Sequence, residues 1–153
     1  MNTILNRAKF FNAIPPGVIK DDAAFVSNVI DKQVVVPNDA KGVLFAVLLG
    51  ATDIAMAALK VMQSSVKTNA TTLGGTPVAV KDTAAKPGAL DDNGVALIYV
   101  PMDSWTEQFL QVQATAGDGT AGTYLATLAI VDEPGVVDVS DLTSLGAISL
   151  DIA

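Results

Sequence analysis

The sequence contains neither cysteine nor histidine. Disulfides, thiol nucleophiles, Cys/His zinc sites and histidine acid–base catalysis are therefore excluded together. Catalysis by a carboxylate, a serine or a lysine stays open, but the sequence shows no nucleophile–base pair and no pattern of metal ligands. We therefore expect a non-enzymatic protein with no catalytic residues, no cofactor and no metal.

Basic residues are missing from the second half of the chain. All nine Lys and Arg lie at or before Lys86, where they stand against six acids, whereas residues 87–153 carry ten acids and no base. This asymmetry fits either ordinary solubility from a net charge of −7 or a polarised molecule whose less acidic side faces a partner. An acidic chain with one Arg is not expected to bind nucleic acid, because phosphate neutralisation drives that affinity.

Long hydrophobic runs are also missing. The longest, Val43–Leu49, is far shorter than the roughly 20 residues that span a bilayer. Arg7 and Lys9 near the start are followed by no apolar region of the kind found in a secretory signal. We expect no membrane partner, and a product that stays in the cytoplasm or joins a particle assembled there.

Half of the 153 residues are apolar, which is enough for one domain with a substantial core. Residues 1–16 are predicted to form an N-terminal arm with weak helical spacing, which Pro15-Pro16-Gly17 ends. Residues 17–153 are predicted to form a single domain.

Short strands separated by turn signals follow the arm. The candidates are Ala23–Ile30, Gln33–Val36, Gly42–Gly50, Ala58–Val66, Pro77–Val80, Val95–Val100, Leu110–Thr115, Tyr124–Val131 and a last strand around Leu150. Thr52–Gln63 is ambiguous between helix and strand, and Ser64–Gly75 is expected to be an exposed loop or an irregular edge hairpin. Seven or eight strands among these nine candidates predict an all-β fold, an antiparallel β-sandwich of jelly-roll-like character.

The segment Gln108–Glu133 is predicted to be a β-hairpin at the centre of the fold. Its first arm alternates apolar and polar residues, which buries one face, and its second arm is apolar on both faces, as in a strand covered on both sides. The linking sequence AGDGTAG has glycines suited to the positive φ angles of a tight reversal. It lacks the Lys and the helix start of a phosphate-binding loop.

Two further segments allow a functional interpretation beside a structural one. Asp91-Asp92-Asn93-Gly94 suggests calcium, but it lacks the alternating ligand spacing and the distal Glu of a calcium loop. Trp105 is the only tryptophan; it would be a binding hot spot if exposed, and otherwise caps a core.

Four stretches, ILNRAKFFNAI, KDDAAF, LLGATDIAMAALKVMQS and QATAGDGTAGTYLATLAIV, together resemble a group of tailed-bacteriophage head proteins, the capsid decoration or cement proteins. The resemblance covers most of the chain from Ile4 to Val131. It implies a β-sandwich that binds the outside of an icosahedral shell, with the major capsid protein as partner and the virion surface as location. It also implies a symmetric homo-oligomer, and we favour a trimer over a dimer.

The arm is the predicted shell contact, because it places apolar side chains beside basic ones in the less acidic part of the chain. The predicted contact residues are Arg7, Lys9, Phe10, Phe11 and Ile14. The alternative function is a carbohydrate-binding or host-adhesion sandwich, in which Trp105, Tyr99 and Tyr124 would stack on sugars.

Overall fold

A computed structural model of the chain describes residues 8–35, 39–83, 86–132 and 149–152. These residues form eleven strands, one four-residue helix and one 3₁₀ turn at Ala89–Asp91. The strands are β1 (Ala8–Ile14), β2 (Ile30–Asp31), β3 (Gly42–Thr52), β4 (Ala58–Ser64), β5 (Lys67–Asn69), β6 (Thr72–Leu73), β7 (Val78–Asp82), β8 (Val95–Pro101), β9 (Phe109–Thr115), β10 (Thr123–Asp132) and β11 (Ser149–Ile152). Helix α1 is Lys32–Val35.

Two sheets pack face to face, so the predicted all-β sandwich is confirmed. The first sheet has the order β1-β10-β3-β8-β11, the second has the order β2-β9-β4-β7, and β5 with β6 forms a separate hairpin. All pairs are antiparallel except β11, which runs parallel to β8. There are more strands than the seven or eight predicted, because several consist of only two to four residues.

Consecutive strands mostly lie in opposite sheets. From β1 to β4 and again from β7 to β10, each connection carries the chain from one sheet to the other. The predicted central hairpin is therefore wrong: β9 pairs with β4 and β2, whereas β10 pairs with β3 and β1. Residues 116–122 bridge the two sheets, and of the three glycines in this crossover only Gly122 has a positive φ, 77°.

The core lies between the sheets and follows the period of two along each strand. On β3 the inward side chains are Val43, Phe45, Val47 and Leu49, all at most 6% exposed. Leu110, Val112 and Ala114 of β9 face them, as their predicted alternation required. Trp105, between β8 and β9, is fully buried and caps this core.

Other strand predictions differ in outcome. The strand from Ala58, the edge strand at Val78 and the hairpin within Ser64–Gly75 are present. The predicted strand over Gln33–Val36 is wrong over Gln33–Val35, which lies in α1, and Val36 lies outside the described residues. Of Ala23–Ile30, only a bridge at Ala24 and the start of β2 are in β-structure. The described part of the arm is edge strand β1, not a helix.

Candidate interaction surface

The outer face of the five-stranded sheet is apolar over most of its area. Three rows of paired residues cross it: Phe10, Ile130, Leu44 and Tyr99 in the first, Asn12, Leu128, Ala46 and Leu97 in the second, and Ala126, Leu48 and Val95 in the third. These rows contain no charged residue, and Asn12 is their one residue with a polar amide. An antiparallel sheet that faces water on one side normally alternates apolar and polar residues, so this face departs from the usual pattern.

Part of this face is covered and part is open. Leu44, Leu97 and Tyr99 form a small cluster of their own, each below 9% exposed. In contrast, Leu48 is 48% exposed, Phe10 is 41% exposed and Tyr124 is 38% exposed. The apolar character therefore continues into side chains that water reaches, which is the usual mark of an interaction site.

The open part is a groove of about 570 Å³ that we call the sheet groove. It is lined by Asn12, Pro16, Leu48, Leu49, Gly50, Tyr124, Ala126, Thr127 and Leu128, which carry no charge. Its walls come from β3, β10 and the turn that follows β1. Gly50 shapes one end, because a Cβ at this position would lie only 2.9 Å from Cδ1 of Tyr124. The Tyr124 ring thus lies against the backbone of β3.

The segment 15–20 extends the apolar surface beyond the sheet groove. Reciprocal backbone hydrogen bonds between Lys20 and Thr123, 3.0 and 2.7 Å long, hold this segment beside the start of β10. Val18 and Ile19 are 72% and 55% exposed. Residues 8–20 also contain two lysines and no acid, in a chain of net charge −7.

The predicted contact residues divide between the surface and the core. Lys9 is exposed, and Phe10 lies on the outer face in the row that ends at Tyr99. Phe11 is partly buried and packs on the core, and Ile14 is 1% exposed inside it. Arg7 lies outside the described residues. The structure thus places Phe10 on the outer face that carries the sheet groove, places Lys9 on the opposite side of edge strand β1, and directs Phe11 and Ile14 inward.

The three aromatic residues of the carbohydrate alternative do not form one exposed platform. Trp105 is fully buried and Tyr99 is 8% exposed, whereas Tyr124 belongs to the sheet groove. Lys32 covers the indole, with Nζ 5.4 Å from the ring centroid and donating to the Trp105 carbonyl.

Acids at the loop ends bind backbone amides. Oδ2 of Asp53 accepts hydrogen bonds of 2.5 Å from the N–H groups of Thr120 and Ala121 in the crossover, and these bonds lower the pKa of Asp53 below its ordinary value of 3.8. Asp91 and Asp92, which suggested calcium, accept from the N–H groups of Gly88 and Thr52. Within the described ranges no three potential metal ligands cluster, and no helix is long and apolar enough to cross a bilayer.

Sequence reasoning missed the sheet groove, although its signal was present. The segment Tyr124–Val131 contains no charged residue and is apolar apart from Thr127 and the Tyr124 hydroxyl, which predicts a strand covered on both sides. The same pattern arises when the second face is left apolar and open. Only the pairing of β10 with β3 and β1 shows that three such strands share one outer face.

Comparisons with protein-family models, with curated proteins and with solved structures found no match.

Proposed function

We propose that this chain is a non-enzymatic structural protein of a virus particle, which binds the outer surface of a tailed-bacteriophage capsid and stabilises the shell. The observation that carries the proposal is the partly exposed outer face of the five-stranded sheet, where three successive rows of paired residues carry no charge. The resemblance of four sequence stretches to capsid decoration proteins supports the same function. The location that follows is the virion surface, after assembly in the host cytoplasm.

The occupant proposed for the sheet groove is the major capsid protein. The groove combines an apolar floor with the exposed ring of Tyr124, and the exposed ring of Phe10 lies on the same face of the sheet. Aromatic residues are enriched where binding energy concentrates. Lys9 is exposed on edge strand β1, and residues 8–20 carry two lysines and no acid, whereas residues 87–153 carry no base. A protein that binds the assembled shell and not its free subunits stabilises the shell by mass action.

Self-association is the second part of the proposal, with a trimer favoured over a dimer. Three copies held together present three grooves to a shell whose sites repeat with the same symmetry. Multivalent contact of this kind raises the effective affinity without a new contact. The groove itself is assigned to the shell, because a self-contact through it would hide it from the capsid.

Co-sedimentation with empty capsid shells, assembled from the major capsid protein encoded nearest to this chain, tests the proposal. Saturable binding and a higher melting temperature of the shell are expected. Leu48→Lys, which puts a charge into the groove, should abolish binding and leave the sedimentation mass of the free protein unchanged. Val78→Lys is the matched control, because Val78 is an exposed valine on the edge strand of the other sheet.

Three outcomes would contradict parts of the proposal. No binding to shells at micromolar protein would remove the decoration function. Binding that survives Leu48→Lys would place the shell contact elsewhere on the molecule. Dissociation of the free oligomer by Leu48→Lys would make the sheet groove a contact between copies of this chain.

A further inference from the structure

The outer face of the second sheet carries a polar cleft of about 500 Å³. We call it the glutamine cleft, after Gln111 and Gln113 of β9 in its floor. The β5–β6 hairpin covers one half of this face, with Thr71 and Thr72 at the border, and leaves the other half open. Segment 24–27 forms the opposite wall. The two sheets therefore present outer faces of opposite character, one apolar and one polar.

A chain of hydrogen bonds fixes the side-chain amides in the floor. Gln111 is 3% exposed, and its Nε2 donates bonds of 2.9 Å to the carbonyl oxygens of Ser27 and Thr71. Its Oε1 accepts a 3.0 Å bond from Nε2 of Gln113. Both amides are thus held in one orientation, and Gln113 keeps its own Oε1 and one Nε2 hydrogen outside this chain of bonds.

A second observation points to a ligand. Ser27 lines the cleft and is 3% exposed, and its Oγ has no hydrogen-bond partner among the described residues. A buried hydroxyl without a partner costs free energy, so native structures satisfy nearly all of them. Gln113 therefore offers the cleft a primary amide whose direction is already set, and the buried Ser27 hydroxyl in the wall has a hydrogen-bonding capacity that the described residues leave unused.

We propose that the glutamine cleft binds a saccharide. Pyranose hydroxyls both donate and accept, and they match a primary amide that is fixed in one orientation. The cleft is lined by fourteen residues of which Lys60 alone is charged, so neutral sugars and sugars bearing one carboxylate share the required chemistry. An extended peptide fits less well, because the backbone groups of β9 and β4 under the cleft are already paired with each other.

The glutamine cleft differs from the aromatic platform of the carbohydrate alternative. It also lies on the other sheet from the proposed shell contact. Its biological meaning rests on the proposed function: in a copy whose five-stranded sheet faces the capsid, the glutamine cleft on the other sheet faces the surrounding solution. A decorated particle would then display one such cleft for every bound copy.

Titration of ¹⁵N-labelled full-length protein with glucose, N-acetylglucosamine and galacturonic acid tests this proposal by NMR. These probes separate neutral, amide-bearing and acidic sugars. We expect at least one of them to cause saturable shifts in the side-chain amide signals of Gln111 and Gln113. Gln113→Ala should weaken that binding about five- to tenfold, the usual effect of removing one or two hydrogen bonds.

Two further variants make the test decisive. Thr72→Trp adds bulk at an exposed position of the cleft border and should abolish the shifts with the fold retained. Gln33→Ala removes an exposed glutamine far along the chain from the cleft and should leave them unchanged. If all three sugars leave the cleft signals unmoved, or if the shifts survive both Gln113→Ala and Thr72→Trp, the saccharide proposal is wrong. Neither result would bear on co-sedimentation with shells.

Discussion

Leu48 and Leu49 are neighbours on β3 that point to opposite faces, and truncating each to alanine tests the division between the core and the interaction surface. Leu49 belongs to the core cluster and is 6% exposed, although its edge also lines the sheet groove, whereas Leu48 is 48% exposed in the groove. The two substitutions remove the same atoms from the same strand. Any difference between them therefore reports the surroundings of each face.

The expected losses follow from burial. Leu49→Ala removes buried methyl groups and leaves a cavity between the sheets, which lowers the free energy of unfolding by about 2–5 kcal/mol. Leu48→Ala removes atoms that are half in water already and leaves no closed cavity. Full burial of a leucine side chain stabilises by about 1.5–3 kcal/mol, so the loss at Leu48 is about 1 kcal/mol or less.

Urea unfolding followed by tryptophan fluorescence measures both losses. Trp105 is the only tryptophan and is fully buried, so its emission reports entry of water into the core. For a domain of this size, about 3 kcal/mol corresponds to a fall in melting temperature of roughly 10 °C. The dependence of unfolding free energy on urea should stay the same in both variants if only stability has changed.

An equal loss for Leu48→Ala and Leu49→Ala would refute the reasoning. The outer face would then be covered in solution as fully as the inner face, and the sheet groove would not be available to a partner. We expect Leu49→Ala to lower the free energy of unfolding and Leu48→Ala to weaken binding to shells.

Two further predictions concern polar side chains that hold loops. Asp53→Asn should destabilise the protein at pH 7, because an amide oxygen is a weaker acceptor than the carboxylate for the N–H groups of Ala121 and Thr120. The pKa of Asp53 is lowered in the folded protein, so the carboxylate stabilises the fold above the ordinary pKa of 3.8. That stabilisation is lost as the pH falls through the folded-state pKa. The urea midpoints of the unmodified protein and of Asp53→Asn should therefore differ at pH 7 and converge in acid. The control is Asp118→Asn, which removes a charge from the same crossover and should leave the urea midpoint at pH 7 unchanged. Gln63→Ala should lower the free energy of unfolding by about 1–3 kcal/mol, because Oε1 of Gln63 accepts from the N–H groups of Thr106 and Glu107 at 2.9 and 3.1 Å. Gln63→Glu keeps an acceptor and should cost less in the same unfolding assay; equal losses would show that these two hydrogen bonds contribute little.

The period of two was enough to predict most strands and the fold class. Alternation in Leu110–Thr115 and the apolar run that begins at Gly42 correspond to β9 and β3, because half-buried and deeply buried strands leave these patterns. The patterns state which residues share a face. They do not state which strands are neighbours.

The wrong hairpin shows this difference. Glycines and an aspartate between two strands favour a reversal of direction, and neighbouring strands in sequence often pair. A chain that crosses from one sheet to the other also reverses, with the same turn residues. Here the crossover is held by bonds to Asp53 and by a close approach of Gly122 to the Lys20 carbonyl, contacts with residues far away in sequence.

The conformation of a short segment also depends on contacts with residues that are distant in sequence. The β-branched residues after Gln33 favour a strand, but Oδ1 of Asp31 accepts from the Gln33 N–H at 3.1 Å and caps the first turn of α1. Lys32 then reaches across to the Trp105 carbonyl. A tertiary contact thus overrides propensity over four residues.

Only part of the candidate site could be predicted from the sequence. Of the predicted contact residues, Lys9 and Phe10 are exposed, whereas Phe11 and Ile14 pack inward. Phe10 and Phe11 are adjacent and identical, so only their register against Ile130 and Ala129 decides which ring faces out. The same holds for Gln111 and Gln113, whose role depends on the hairpin that lies across them.

The position of β10 between β1 and β3 has a consequence for the order of events during synthesis. The sheet order places a strand from residues 123–132 between strands from residues 8–14 and 42–52, and β1 has no pairing with β3. At about 5–20 residues per second, the ribosome exposes two apolar strands for several seconds before their common partner emerges. Folding of the first sheet therefore waits for β10, with the slow, non-local pairing typical of β-sandwiches. Chaperone binding to the nascent chain should be strongest between the emergence of β3 and the emergence of β10.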